Sequence, residues 1–137
     1  MIRPTILPLL KMINMKLTTN FSLSEFNCKS GASMPDDVFD NVLQLVYAMQ
    51  IIRDELRAAI TPTSGYRTPD HNASVGGKKN SEHITGKAVD FKVFGMAPTA
   101  VAAIIERLIS EGKIPQGGLK AYKTWVHYDI RGVKARW

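Results

Sequence analysis

The residues best suited to chemistry in this 137-residue sequence are its three histidines, His71, His83 and His127. His83 opens the run His83-Ile84-Thr85-Gly86-Lys87-Ala88-Val89-Asp90, which ends on an acid seven residues later. Two imidazoles and one carboxylate, without a thiolate, are the ligand set of a catalytic zinc ion. Three protein ligands leave a fourth position for water, whose pKa falls to about 7 on zinc. His83, Asp90 and His127 are therefore candidate metal ligands; the alternative is that they are unrelated surface side chains. The usual zinc motifs do not decide between these readings. HExxH is absent, and Lys79 stands where an inverted HxxEH motif would need histidine. Cys28, the only cysteine, allows neither an internal disulfide nor a Cys-rich zinc site, and reads as a small half-buried hydrophobe.

The elements that must position these residues follow from periodicity. Ser22-Leu23-Ser24-Glu25 has capping-box spacing and predicts a short helical turn anchored by Leu23 and Phe26. From Asp36, Val38, Val42, Leu45, Met49, Ile52 and Leu56 recur at helical spacing, which predicts one long helix ending near Ala59, before Pro62. Ile60 to Thr63 reads as a strand entering Ser64-Gly65-Tyr66-Arg67, followed by a long loop. Ala88 to Val93 alternates Val89, Phe91 and Val93 with Ala88, Asp90 and Lys92, and Thr124 to Ile130 alternates Val126, Tyr128 and Ile130 with Trp125, His127 and Asp129. Pro98 opens a second apolar-faced helix that stops at Gly112. The order of elements is not a regular βαβ series. It predicts an α+β fold with a small, largely antiparallel sheet and helices on one face. If the apolar strand faces meet the helices, His83, Asp90 and His127 converge on the open face.

Several blocks together resemble a known family. Ser64-Gly65-Tyr66-Arg67-Thr68-Pro69, His71-Asn72, Val75-Gly76-Gly77, Asn80-Ser81, His83, Gly86, Ala88 and Asp90 are similar to the M15 zinc peptidases, the D-Ala-D-Ala carboxypeptidases and murein endopeptidases. The opening Asn20 to Phe26, the segment Val126 to Gly132 and the ending Ala135-Arg136-Trp137 resemble the compact branch of that family common in phages and prophages. The resemblance spans residues 16–137, read as a single domain, and leaves residues 1–15 as a leader. It implies a hedgehog/DD-peptidase-like fold with one zinc ion per chain on His83, Asp90 and His127. It further implies hydrolysis of amide bonds in peptidoglycan stem peptides, with Arg67 holding a substrate carboxylate or the developing oxyanion. Ser81 matches a motif serine that binds substrate or fixes its loop, and Tyr66 and Trp125 are candidates for the cleft wall. One departure stands out. Many members carry Glu or Asp three residues before the last zinc histidine, where this chain has Thr124. Asp129, two residues after His127, is then the acidic candidate, either as catalytic acid/base or as a support for a ligand histidine.

Charge and hydropathy bound the partners. Eighteen Lys+Arg against twelve Asp+Glu give +6, which favours an anionic partner such as cell wall, nucleic acid or membrane surface without choosing among them. A nucleic-acid binder using Arg131, Lys134, Arg136 and Trp137 is a rival reading, but no nucleic acid is expected. A catalytically silent, zinc-containing wall-binding module is another, kept open by Thr124. No apolar run approaches the roughly 20 residues of a membrane span, so no membrane insertion is expected. Pro4 and Pro8 interrupt the apolar leader and no clear cleavage site follows. The expectation is a monomer that stays cytoplasmic until released in the manner of a phage lysin, or is exported by another route, and acts on the bacterial wall.

Overall fold

The computed structural model describes residues 15–137, so the leader expected over residues 1–15 lies, apart from Met15, outside the described residues. Met15 packs against the core, and its carbonyl accepts a hydrogen bond from Leu23 N–H. Leu23–Glu25 form a single 3₁₀ turn closed by the Ser22/Glu25 capping box.

Helix α1, Asp36–Leu56, starts where Pro35 leaves the chain extended, and Asp36 and Asp37 oppose the positive end of its dipole. Val38, Val42, Leu45, Met49 and Ile52 form its buried stripe, as the periodicity requires. The helix stops at Leu56, short of the expected Ala59, because Arg57 turns left-handed (φ 52°) and returns its N–H to Arg53. Strand β1, Ile60–Ser64, follows. Helix α2, Pro69–Ser74, then occupies part of the segment expected to be loop. The local signal was present: Thr68 caps the His71 N–H and Pro69 takes the first turn, where its missing donor costs nothing.

Strand β2, Ala88–Val93, helix α3, Pro98–Ser110, strand β3, Leu119–Ala121, and strand β4, Val126–Asp129, complete the fold. The four strands pair in the order β1-β2-β4-β3, every neighbour antiparallel. Val89, Phe91, Val126 and Tyr128 join the stripes of α1 and α3 (Val101, Ile105, Leu108) in one core. The α+β architecture with a small antiparallel sheet is therefore observed. Strand β3 is an addition: three residues behind Gly117-Gly118 are too few to show alternation. The pairing register sets Asp90 directly opposite His127, on the face turned away from the helices.

Candidate metal centre

The pleat supplies two of the three candidate ligands at once. Burying Val89 and Phe91 turns Asp90 to the other face, and burying Val126 and Tyr128 does the same for His127. The third, His83, comes from the connection before β2, which Gly86 (φ 78°) reverses. One ligand atom from each of His83, Asp90 and His127 lies within 4.8 Å of the others.

Hydrogen bonds fix which nitrogen each imidazole presents. His83 Nδ1–H donates to the Gly65 carbonyl at 2.8 Å, leaving Nε2 3.3 Å from Asp90 Oδ2. His127 Nε2–H donates to Asp129 Oδ2 at 2.7 Å, leaving Nδ1 2.9 Å from Asp90 Oδ1. Gly65 O and an ionised Asp129 can only accept, so each outer nitrogen carries its ring proton. The inner nitrogens then point lone pairs at a carboxylate. That arrangement is satisfied when a positive charge, a proton or a metal cation, lies among the three. Two imidazole nitrogens and one carboxylate oxygen suit a divalent ion of the zinc type.

Electrostatics agree. A proton in that position has the expected effect: burial works against the charge of Asp90, yet His127 and His83, when protonated towards it, hold its carboxyl far below the usual range. Burial also opposes a charged His127, but Asp129 and Asp90 on its two nitrogens raise its pKa.

The cluster lies in a cleft of about 660 Å³. Arg67 lines it, its guanidinium braced by Ser64 Oγ (3.1 Å) and Asn72 Oδ1 (3.1 Å) and lying 3.5 Å from Asp90. Asn72, from α2, is 2% exposed, a brace to which the sequence reading gave no role. Ser81 also lines the cleft, and its hydroxyl accepts the His83 N–H, which makes it a loop-fixing group. Trp125 forms part of the wall, stacked on Tyr122 at 4.3 Å. Trp137 adds a further panel, its ring 5.1 Å from that of His127.

Other candidates fall elsewhere. Tyr66, expected at the cleft, is 5% exposed and packed in the core. Its neighbour Arg67 faces the cleft, and adjacent residues of an extended segment point opposite ways. His71 stays in α2, outside the three-residue cluster. Glu82, next to His83 in sequence, is among the cleft-lining residues and accepts a bond from the Thr85 hydroxyl. Thr124 is exposed, and Cys28 is buried more deeply than the half-burial expected of it. Asp129 is fully buried beneath His127. Of the cations offered to a nucleic acid, Arg131 is turned onto Asp129 and Arg136 onto Glu106.

Comparison with known proteins places these residues in a family. Over 101 residues the chain is 34% identical to the probable peptidoglycan L,D-endopeptidase MepK of Haemophilus influenzae. The alignment covers 69% of this chain and 51% of that protein, so the chain spans about half the length of the curated relative it matches. The sequence model of peptidase M15 matches residues 19–129, a stretch that holds the three clustered candidate ligands, Arg67 and Asp129. The chain belongs to the peptidase M15 family, whose members are metal-dependent.

Proposed function

We propose that this protein is a zinc-dependent peptidase that hydrolyses amide bonds in the stem peptides of peptidoglycan. The observation that carries the reading is the tethering of both imidazoles. Each is tied by its outer nitrogen so that the other nitrogen, the one a metal would take, faces Asp90 within a cleft large enough for a peptide. The relative is named for activity on peptidoglycan, which supports the substrate class, and as an L,D-endopeptidase, which favours internal cleavage over removal of a terminal D-Ala.

When bound to His83, Asp90 and His127, a zinc ion supplies Lewis acidity to a scissile carbonyl and activates water at neutral pH. The chain's own residues do the rest. Arg67, held by Ser64 and Asn72, offers its remaining N–H groups to a substrate carboxylate or carbonyl oxygen next to the metal centre. Trp125 and Tyr122 present a stacked aromatic wall along which a peptide can lie. Lys78, 5.6 Å from the Trp137 ring centroid, gives that side of the cleft a positive charge suited to an acidic peptide.

The test is digestion of purified peptidoglycan followed by mass spectrometry of the muropeptides. Zinc-dependent release of fragments cut between stem-peptide residues is expected, and the fragment masses name the bond. Loss of terminal D-Ala alone would make the enzyme a carboxypeptidase. Wall binding without any bond cleavage would leave a silent binding module.

A further inference from the structure

Asp129 was the acidic candidate for proton transfer, yet every acceptor position of its carboxylate is taken. Oδ1 accepts Gly118 N–H at 2.8 Å, Arg131 N–H at 3.2 Å and Arg131 Nε–H at 2.9 Å. Oδ2 accepts Arg131 Nη2–H at 2.8 Å and His127 Nε2–H at 2.7 Å. The group has no exposure, and the imidazole of His127 stands between it and Asp90. A substrate-side proton has no acceptor there.

The surroundings are built for this carboxylate. A Cβ at Gly118 would lie 2.1 Å from Asp129 Oδ2 and 2.8 Å from Arg131 Nη2, so the chain passes close enough to donate its N–H only as glycine. The Arg131 fork supplies the countercharge without which a buried carboxylate would rotate away or take up a proton.

We propose that Arg131 is a positioning residue for the metal centre. With Gly118 it clamps Asp129 so that the carboxylate accepts from His127 Nε2–H, which fixes the tautomer whose Nδ1 lone pair faces the cation position. Asp129 acts through His127 and not on the substrate. The inference rests on the metal-centre reading above, and it gives Arg131 a role that neither its charge nor its place in the cleft would suggest.

The test uses the full chain, with Zn²⁺ as the probe in competition with a chromogenic chelator, and long-range ¹H–¹⁵N correlation of the histidine rings in the zinc-loaded protein and in the metal-free protein, where Nδ1 of His127 is open to a proton. In the wild type, His127 should carry its proton on Nε2 and His83 on Nδ1. Arg131→Ala and Asp129→Asn should each raise the zinc Kd by about 10–100-fold, the effect usual for partners of metal-bound histidines. Asp129→Asn should do so despite its matching shape. Three N–H donors keep the amide oxygen in the Oδ1 position, so the amide NH₂ meets His127 Nε2 and drives the ring proton to Nδ1. Arg131→Lys, which keeps the charge and loses the fork, should recover only part of the affinity.

A folded Arg131→Ala chain with wild-type Kd and an unmoved Nε2–H signal would overturn the clamp. So would an Asp129→Asn chain that binds zinc normally and loses only turnover, because Asp129 would then act on the substrate. If circular dichroism shows that Arg131→Ala does not fold, Arg131→Lys and Asp129→Asn decide by the same two readings. A wild-type chain that binds zinc but leaves peptidoglycan intact, with the variants behaving as expected, overturns the proposed function alone. A wild-type chain that takes up no zinc overturns both.

Discussion

His83 and His127 face the same carboxylate, but they are held in opposite ways. The Nδ1–H of His83 is received by a backbone carbonyl, Gly65 O, in the turn that follows β1. The Nε2–H of His127 is received by a buried side chain, Asp129, itself held by Arg131 and Gly118. A backbone acceptor is fixed by the fold and survives any side-chain substitution. A carboxylate acceptor is stronger and raises ligand basicity, but it depends on a network that a single substitution can break. The His83 side should therefore fail with the fold, and the His127 side should fail on its own.

Removing the ligands should erase this difference, and it is the largest effect expected. His83→Ala and His127→Ala should each abolish detectable zinc retention and cut kcat/KM by at least about 10³-fold. Chelation of the wild type should lower the melting temperature, because a ligand that binds only the folded state stabilises it. Stoichiometric zinc in the double variant would show that these residues are not the ligands.

Paired alanine substitutions at the two glycines sharpen the comparison. A Cβ at Gly65 would lie 2.7 Å from both Cα and O of Phe26, backbone atoms that cannot move aside. Gly65→Ala should cost about 1–3 kcal/mol of stability, read as a lower urea midpoint. Chains that remain folded should bind zinc with little change. At Gly118 the obstructed atoms are the Asp129 and Arg131 side chains. Gly118→Ala should weaken zinc binding by about tenfold or more, with a smaller change in urea midpoint than Gly65→Ala. The reverse pattern would remove the asymmetry.

Arg67→Lys probes the other branch of the site. Its peptide N–H bonds His83 O, while its guanidinium reaches Ser64, Asn72 and Asp90 at once. Lysine cannot satisfy that geometry, and kcat/KM should fall by about 10–100-fold with zinc affinity changed less. Unchanged kcat/KM would leave Arg67 a structural brace only.

These asymmetries also show what sequence can carry. Helical and strand periodicities are local, so α1, α3, β2 and β4 could be read directly, and strand alternation alone put Asp90 and His127 on one face. The supports are not local. Gly65 O meets His83 eighteen residues later, and Gly118 N–H meets Asp129 across paired strands. No periodicity encodes such meetings. The Gly117-Gly118 pair marked a turn, but not that a carboxylate would fill the space a side chain would need. Tyr66 and Arg67 could have been sorted by alternation once Arg67 was assigned to the cleft. Trp137 reaches His127 through the packing of residues 133–137, which carry no repeating pattern.

The smallest expected effect asks where the support of His127 ends. Beyond Gly118, the neighbouring Gly117 O accepts Arg136 Nη1–H at 2.6 Å, and Arg136 is in turn held by Glu106 through a two-bonded fork. The hydrogen bonds from Arg136 lower the pKa of Glu106 below its ordinary value of 4.5, with burial opposing only weakly. A carboxyl with a depressed folded-state pKa stabilises the fold above its unfolded pKa, and that contribution fades as the pH falls through the lower folded value. The Glu106 side chain is 46% exposed, so solvent and salt screen the pair. Glu106→Gln should therefore cost only about 0.5 kcal/mol at pH 7 and low salt. The difference from wild type should fade as the pH falls below the ordinary value of 4.5, and in molar salt. Zinc affinity should stay within about twofold, because Arg136 keeps its bonds to Gly117 O and Ala135 O. A drop in zinc affinity comparable to that of Arg131→Ala would mean that the brace runs unbroken from the surface carboxylate to the metal ligand, and that the His127 side is supported through three layers of side chains and not two.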